Sequence, residues 1–266
     1  MSTLIRDYER FAKEANEICK GRVYTDHLRR YAYGVDASCY SYLPKVVVKA
    51  EDEREVRRLI RLCQQCGTPF TFRAAGSSLS GQCSSEDVLI VCNDGFKKME
   101  VIDDGKALKC ECGVIGSDAN DLLKPYNRKI GPDPATLATA LVGGILNNNS
   151  SGMCCGTAQN SYKTIRSIRV VLLDGSILDT SDPKSIDQFL KEKPQMVEDI
   201  LQLRKDILAD EELTHLIHHK YKIKNTTGYG LNSLVDFEDI IDIINHLFIG
   251  SEGTLGFVSE IVYNTV

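Results

Sequence analysis

The chain has no tryptophan, only seven prolines in 266 residues, and no excess of positive charge. No stretch reaches the roughly 18 consecutive apolar residues that a membrane-spanning helix needs. The amphipathic N-terminus, MSTLIRDYERFAKEANEICKGR, has no apolar signal-peptide core. Lys plus Arg is 32 against 37 Asp plus Glu, a formal charge of −5. Such a balance offers no general compensation for phosphate charge, so nucleic acid is not an expected partner. The expected location is the cytoplasm, or the inner face of a membrane as a peripheral protein. With 42% hydrophobic and 26% charged residues, the composition is globular and excludes collagen, coiled coil and wholesale disorder.

Cysteine is abundant, at ten residues, yet its spacing argues against metal chemistry. Cys63 and Cys66 form a CxxC on the helical stripe Val56, Leu59, Ile60, Cys63, Cys66, which reads as buried thiols. The pairs Cys110/Cys112 and Cys154/Cys155 have the wrong spacing for a zinc ribbon. His215, His218 and His219 recur at helical spacing without the HExxH order, so a solvated helix end is expected there. No metal site is assigned.

Periodicity predicts an N-terminal helical arm over 1–42, then strand 45–49, helix 51–66 stopped by Gly67, and strands 69–73 and 88–92. Strand, helix, strand, loop, strand marks a mostly parallel α/β unit. A hairpin follows around Asp103-Asp104-Gly105, then a helix at 117–124. Residues 130–161 are rich in Gly, Asn, Thr and Ala with little periodicity, and such a stretch inside a domain is usually functional. A second hairpin turns at Asp174-Gly175, 183–221 is a charged helical segment, a short helix lies near 239–246, and 257–263 closes the chain as a strand.

Three small-residue loops stand out. Arg73-Ala74-Ala75-Gly76-Ser77-Ser78-Leu79-Ser80-Gly81 begins where a strand ends, and several of its N–H groups can converge on one anion. It is neither GxGxxG nor a Walker loop. The second runs from Gly131-Pro132-Asp133-Pro134-Ala135-Thr136 through Gly143-Gly144 to Asn147-Asn148-Asn149-Ser150-Ser151-Gly152. The third is Gly250-Ser251-Glu252-Gly253-Thr254-Leu255-Gly256. Each alone reads better as a plain turn.

In order and interval, however, the three loops resemble the FAD-binding domain of the vanillyl-alcohol oxidase/PCMH-type flavoproteins. They are similar above all to the FAD-linked D-lactate dehydrogenase and glycolate oxidase branch. The stretches RVYTDHLRRYAYGVDASCYSYLPKVVV, GTAQNSYKTIRSIRVVLLDG and KNTTGYGLNSLVD further resemble the large D-lactate or D-2-hydroxyglutarate dehydrogenases fused to an iron–sulfur region. The likeness runs over about 20–266. It departs at Ala74 and Ala75, which stand where the branch carries glycine.

The resemblance implies an α+β fold of two α/β subdomains, 43–114 and 115–266 with 183–221 as a helical insert, and FAD between them. It implies cofactor contacts from Arg73, Ala74, Ala75, Gly76, Ser77, Ser78, Gly81 and Gln82. Further contacts are implied from Pro132, Thr136, Gly143, Gly144, Asn148, Ser151, Gly152, Glu252 and Gly253, and from the backbone of Ile168 and Val170 at the adenine. With no histidine in the first loop and no cysteine before Cys83, non-covalent FAD is expected.

The activity implied for the complete enzyme is oxidation of a D-2-hydroxy acid to the 2-oxo acid by hydride transfer to flavin N5. Electrons would then pass through 4Fe-4S clusters to a quinone or cytochrome. Relatives carry the substrate-cap and iron–sulfur regions, with the catalytic base, beyond the point matching residue 266. The expectation here is therefore an FAD domain, cut from a longer chain or encoded as a separate subunit, with negligible turnover alone and no catalytic residue assignable. Two alternatives stay open: a non-catalytic FAD-holding subunit, and a flavin-dependent reductase of a cell-wall sugar nucleotide.

Overall fold

The computed structural model describes residues 6–266, so the first five residues of the expected N-terminal arm lie outside it. Two sheets organise the chain. The first has the order β1-β2-β4-β3 and the second β5-β6-β9-β7-β8, where β1 is Val23–Tyr24, β2 Val46–Lys49, β3 Phe70–Arg73, β4 Val88–Val91, β5 Met99–Ile102, β6 Ala107–Glu111, β7 Ile165–Leu172, β8 Ile177–Asp179 and β9 Gly256–Asn264.

In the first sheet β2, β4 and β3 are parallel, in register at Val46/Val88/Phe70 and Val48/Ile90/Phe72. Central β4, VLIV, is wholly buried, as expected of a parallel strand covered on both faces. Helix α1 (Tyr8–Ile18) and, after helix α2 (His27–Tyr33), helix α3 (Glu53–Cys66) cover this sheet. The side chain of Asp52 accepts the Glu55 N–H at the start of α3, and Gly67 ends it at φ +64°; glycine occupies that left-handed position without a Cβ penalty. The stripe Val56, Leu59, Ile60, Cys63, Cys66 is buried against Phe11 and Ala15 of α1 and against Val46 and Val48.

The second sheet is antiparallel throughout. Helices α4 (Gly116–Leu123), α5 (Val142–Asn147) and α6 (Ser161–Thr164) pack on it. The 183–221 segment folds as α7 (Pro183–Glu192), α8 (Pro194–Ala209) and α9 (Glu211–Lys220), with a proline opening each of the first two. Short α10 (Ser233–Asp236) and α11 (Ile240–Leu247) return the chain to β9. Among the described residues no helix is long and apolar enough to cross a membrane.

Two expected boundaries move. The β5–β6 hairpin, placed by the sequence in the 43–114 unit, is hydrogen-bonded to β9 and belongs to the second sheet. The N-terminal segment is more than an arm: β1 pairs antiparallel with β2 and completes the first sheet.

The sheets meet through α3 and β9. Arg169 of β7 forms a two-pronged ion pair with Glu53 of α3 (2.8 and 3.0 Å) and a further bond to Asp179 (3.2 Å). The Ser259 hydroxyl also donates to Glu53, at 2.8 Å. Phe257 of β9 packs against Phe72 and Phe96, with ring centroids 5.1 and 5.2 Å away.

Candidate functional site

Beyond the carboxyl ends of β3 and β4 the chain leaves the first sheet and opens a cavity of about 670 Å³ against α5 and the β9 approach. The carboxyl ends of parallel strands are where open α/β sheets receive ligands. The volume falls within the roughly 300–1,000 Å³ of small-molecule sites.

The first wall is the loop 74–83. Its backbone is held from behind. The Arg73 guanidinium donates to the Tyr33 and Val35 carbonyls, each at 2.8 Å, and the Ala37 N–H donates to the Gly76 carbonyl at 3.0 Å. Asp36 accepts from the Cys83 thiol (3.2 Å) and the Ser84 hydroxyl (3.1 Å). Positive φ falls on Gly76 (+74°) and Gly81 (+75°), not on Ala74 or Ala75. The two alanines therefore sit where a Cβ is tolerated. Among the described residues, no protein acceptor is met by the N–H groups of Ala74, Ala75, Gly76, Ser77 and Ser78.

The second wall is α5 and the turn after it. A Cβ on Gly143 would lie 2.6 Å from the Cβ of Cys112, and one on Gly144 would lie 3.3 Å from that of Ala74. Gly143 thus lets α5 sit against the chain just after β6, and Gly144 brings the helix close to the first loop, where side chains would hold them apart. The third loop is tied to the end of α5, with the Gly250 and Glu252 N–H groups donating to the Leu146 and Asn147 carbonyls at 3.3 and 3.0 Å.

Glu252 closes the bridge between the walls. Its carboxylate accepts from Asn148 Nδ2 (2.6 Å) and Gln82 Nε2 (3.2 Å), and its backbone sits at φ +54°, a conformation that costs energy in a non-glycine residue. Burial pushes the carboxyl above its ordinary value, and the two amide donors offset only part of that.

Of the residues implied by the sequence, the cavity wall holds Arg73 to Ser78, Gln82, Thr136, Gly143, Gly144, Asn148, Ser151, Glu252 and Gly253. The other five lie elsewhere. Gly81 packs toward Tyr40, where a Cβ would meet the ring at 2.6 Å. Pro132 is buried behind the wall. Gly152 serves Asp133, which accepts its N–H at 2.9 Å and those of Cys154 and Cys155 at 3.2 Å. The Gly131–Pro134 turn is thereby folded around the chain itself.

Ile168 and Val170 are corrected outright. β7 is paired on both sides, by β8 and β9. The Ile168 N–H and carbonyl are taken by Thr180, Val170 pairs with Leu178 and Val258, and both side chains are buried in the core. No backbone group there is free for a ligand edge.

The structure adds Lys224, Thr226, Thr227 and Gly228 to the wall. They belong to the KNTTGYG stretch, whose sequence signal was noted only as a family likeness. Cys83, Cys92 and Cys112 line it as well.

The residues present suit a large polar ligand with an anionic centre. Five consecutive N–H groups lack acceptors, and Gln82 Oε1 and Ser151 Oγ, both in the wall, are buried without a hydrogen-bond partner. Buried side-chain atoms left unpaired in this way are costly unless something fills the site, and the amides, on residues that are half-buried or exposed, are open to a ligand. FAD, large and polar with an anionic centre, is a ligand that such residues fit.

Comparison with known proteins agrees. A family model described as an FAD binding domain matches residues 44–181, just over half of the chain. The chain is similar to D-2-hydroxyglutarate dehydrogenase of Pantoea ananatis, 27% identical over 247 residues that make up 90% of this chain and 24% of that protein. It is also similar to the glycolate oxidase subunit GlcD of Bacillus subtilis, 24% identical over 89% of this chain and 40% of that one. It thus spans about a quarter of the dehydrogenase's length. Among solved structures, alkyldihydroxyacetonephosphate synthase superposes with a TM-score of 0.65 at 18% identity over 100% of this chain and 42% of the other. Physcomitrella patens BBE-like 1 gives 0.61 at 12% identity over 96% of this chain and 44% of the other. The chain belongs to the FAD binding domain family, in the PCMH-type branch that its loops resemble.

Proposed function

We propose that this chain is the FAD-holding part of a flavin-dependent D-2-hydroxy acid dehydrogenase of the D-2-hydroxyglutarate or D-lactate type. The observation that carries the cofactor half is the run of unpaired amides Ala74–Ser78 opening into the cavity. The activity half draws on the named relatives. FAD, when bound, would supply the hydride acceptor for oxidation of such a hydroxy acid.

The chain's own residues bind and orient. Ala74 to Ser78 hold the diphosphate through backbone N–H groups. Gly144 sets the width of the slot against Ala74, and Gln82 and Asn148 would supply hydrogen-bonding groups to the rest of the cofactor. Binding is non-covalent: the Cys83 thiol is pushed up to about 12, by burial first and then by its bond to Asp36, so it stays protonated and a poor nucleophile.

Among the described residues lining the cavity, Glu252 is the one carboxylate, and no histidine lines it. Glu252 is already engaged by two amides. That engagement supports the reading that substrate groups come from the remainder of such an enzyme. An FAD-holding subunit without chemistry of its own is favoured by the same observation. Iron–sulfur clusters, a quinone or cytochrome acceptor, and a cytoplasmic or peripheral membrane location belong to this proposal for the complete enzyme.

The test is an absorbance spectrum from 300 to 550 nm after adding FAD and desalting. Flavin bands that persist on the folded chain and leave with the small molecules on denaturation are expected. Absence of retained flavin on a folded chain overturns the cofactor reading, and bands that stay with denatured protein overturn non-covalent attachment. D-2-hydroxyglutarate or D-lactate should bleach the bound flavin far more slowly than about 1 per second, a rate ordinary enzymes reach.

A further inference from the structure

The same cavity wall carries a second polar group, around Ser151 and Lys224. Three charged side chains line the cavity among the described residues: Arg73, Glu252 and Lys224. Arg73 is spent on the Tyr33 and Val35 carbonyls. Glu252 is spent on Asn148 and Gln82, and burial favours its neutral form. Lys224 makes no ion pair among the described residues.

The Lys224 ammonium is instead fixed by one neutral contact, donating to the Ser151 carbonyl at 2.6 Å. An ammonium has three donors, so two remain. Beside it, Ser151 is 6% exposed and its hydroxyl has no partner. A cation without a counter-charge and a buried hydroxyl without a partner therefore share one stretch of wall.

That stretch is preorganised. The segment carrying Lys224 is pinned by the Tyr221 hydroxyl, which donates to the Tyr229 carbonyl (2.8 Å) and accepts the Leu231 N–H (3.1 Å). The Tyr229 hydroxyl in turn meets Thr254 Oγ1 of the third loop at 2.8 Å.

We propose that Lys224 and Ser151 form an anion subsite of this cavity that takes a carboxylate or phosphate oxygen of a bound small molecule. Two sources share that chemistry, the diphosphate of FAD and the carboxylate of a small acid seated beside the flavin. The proposal rests on the cofactor reading for its first probe and is separable from it. Ser151 supplies the hydrogen bond and Lys224 the charge, and a charge-assisted contact in a partly buried cavity is worth more than a neutral one.

The test compares wild type with Lys224→Met, Lys224→Arg and Ser151→Ala, each first shown to melt within about 2 °C of wild type, a span that corresponds to less than roughly 1 kcal/mol. FAD and riboflavin affinities are read by flavin fluorescence, and D-2-hydroxyglutarate by its effect on the spectrum of the FAD-loaded chain. Loss of FAD affinity by roughly tenfold or more in Lys224→Met, with riboflavin unchanged, identifies the diphosphate. Unchanged FAD affinity with weakened D-2-hydroxyglutarate binding identifies the carboxylate. In either case Lys224→Arg should keep most of the affinity and Ser151→Ala lose less than Lys224→Met. Equal FAD affinity together with equal, or equally absent, acid binding overturns the subsite. A wild-type chain that binds no flavin overturns the cofactor reading instead. The subsite is then read by calorimetry with inorganic pyrophosphate and D-2-hydroxyglutarate on the same variants, and binding of neither overturns it too.

Discussion

At the residue scale the site is shaped by what a few positions forbid. Gly144 faces Ala74 at a distance where one added carbon is already tight, 3.3 Å. Gly144→Val adds two methyl groups beyond that carbon at the slot between α5 and the first loop. It should weaken FAD binding at least tenfold while leaving the apo chain folded, as read by flavin-fluorescence titration beside circular dichroism. Glu252 gives a pH prediction. Its folded value stands above the ordinary carboxylate value because it is buried, so the folded state holds the proton more tightly than the unfolded chain does. The contribution is favourable below the unfolded value, near 4.3, and is lost as pH rises through the folded one. Glu252→Gln keeps an acceptor for Asn148 and Gln82 but cannot ionise. It should melt above wild type at pH 7.5 and level with it at pH 4; in a chain of this size about 1 kcal/mol moves the midpoint roughly 2–4 °C. Reading such positions from sequence has a physical limit. The small loops announced themselves by composition, and the alanines at 74 and 75 are accommodated because their φ is ordinary. Lys224 gave no comparable signal, since a lysine in a polar loop is the commonest of surface residues and only the fold carries it to Ser151.

At the element scale, legibility follows sequence separation. Helix α3 was readable down to its glycine stop because cap, stripe and terminator are all local. Gly67→Ala should cost about 1 kcal/mol, the usual penalty for a Cβ at a left-handed cap, checked by urea denaturation. The sheet to which β5–β6 belongs was not readable, because its partner β9 lies some 150 residues on and nothing in a hairpin's own alternation names the strand that will flank it. The β7–β8 hairpin was legible, but the strand closing the other edge of β7 is β9, more distant along the chain, and that pairing was not. The joint between the sheets is Arg169 with Glu53, Asp179 and Ser259. Burial alone would raise Glu53 and Asp179, but hydrogen bonds from Arg169 and from Ser259 or Ser181 hold both below their ordinary values. Their contribution is therefore present above the unfolded values near 4 and lost as pH falls through the folded ones. Arg169→Ala strands both carboxylates. It should cost about 1–3 kcal/mol at pH 7, less than a fully buried pair because the guanidinium is one-third exposed, and should flatten the acid side of the stability curve measured by thermal melts from pH 3 to 7.

At the scale of the whole molecule, the cavity is a seam whose walls come from different parts of the chain. The first loop hangs from the parallel sheet, and α5 with the third loop hangs from the antiparallel one. The walls touch through Glu252, Gln82 and Asn148, Gly144 leaves room for only one more carbon before Ala74, and the amides of 74–78 meet no acceptor. A ligand that pairs those amides and fills the slot binds the folded chain alone, so it stabilises by mass action: FAD at a hundred times its dissociation constant adds about 2.7 kcal/mol, which is roughly 5–10 °C in melting temperature. Where that stabilisation appears discriminates this seam from a site on either sheet alone. Hydrogen exchange with and without FAD should slow together at 74–80, at Ser151 and at 224–228, because these segments line the same cavity and their amides are not already spent on α5 or Asp133. The amides of 168–170 should be unaffected, since they are already paired within the sheet. Protection confined to the first loop would mean that the second wall does not engage the cofactor. Protection at 168–170 would mean that the antiparallel sheet itself moves when flavin binds, a response that the doubly paired β7 does not allow.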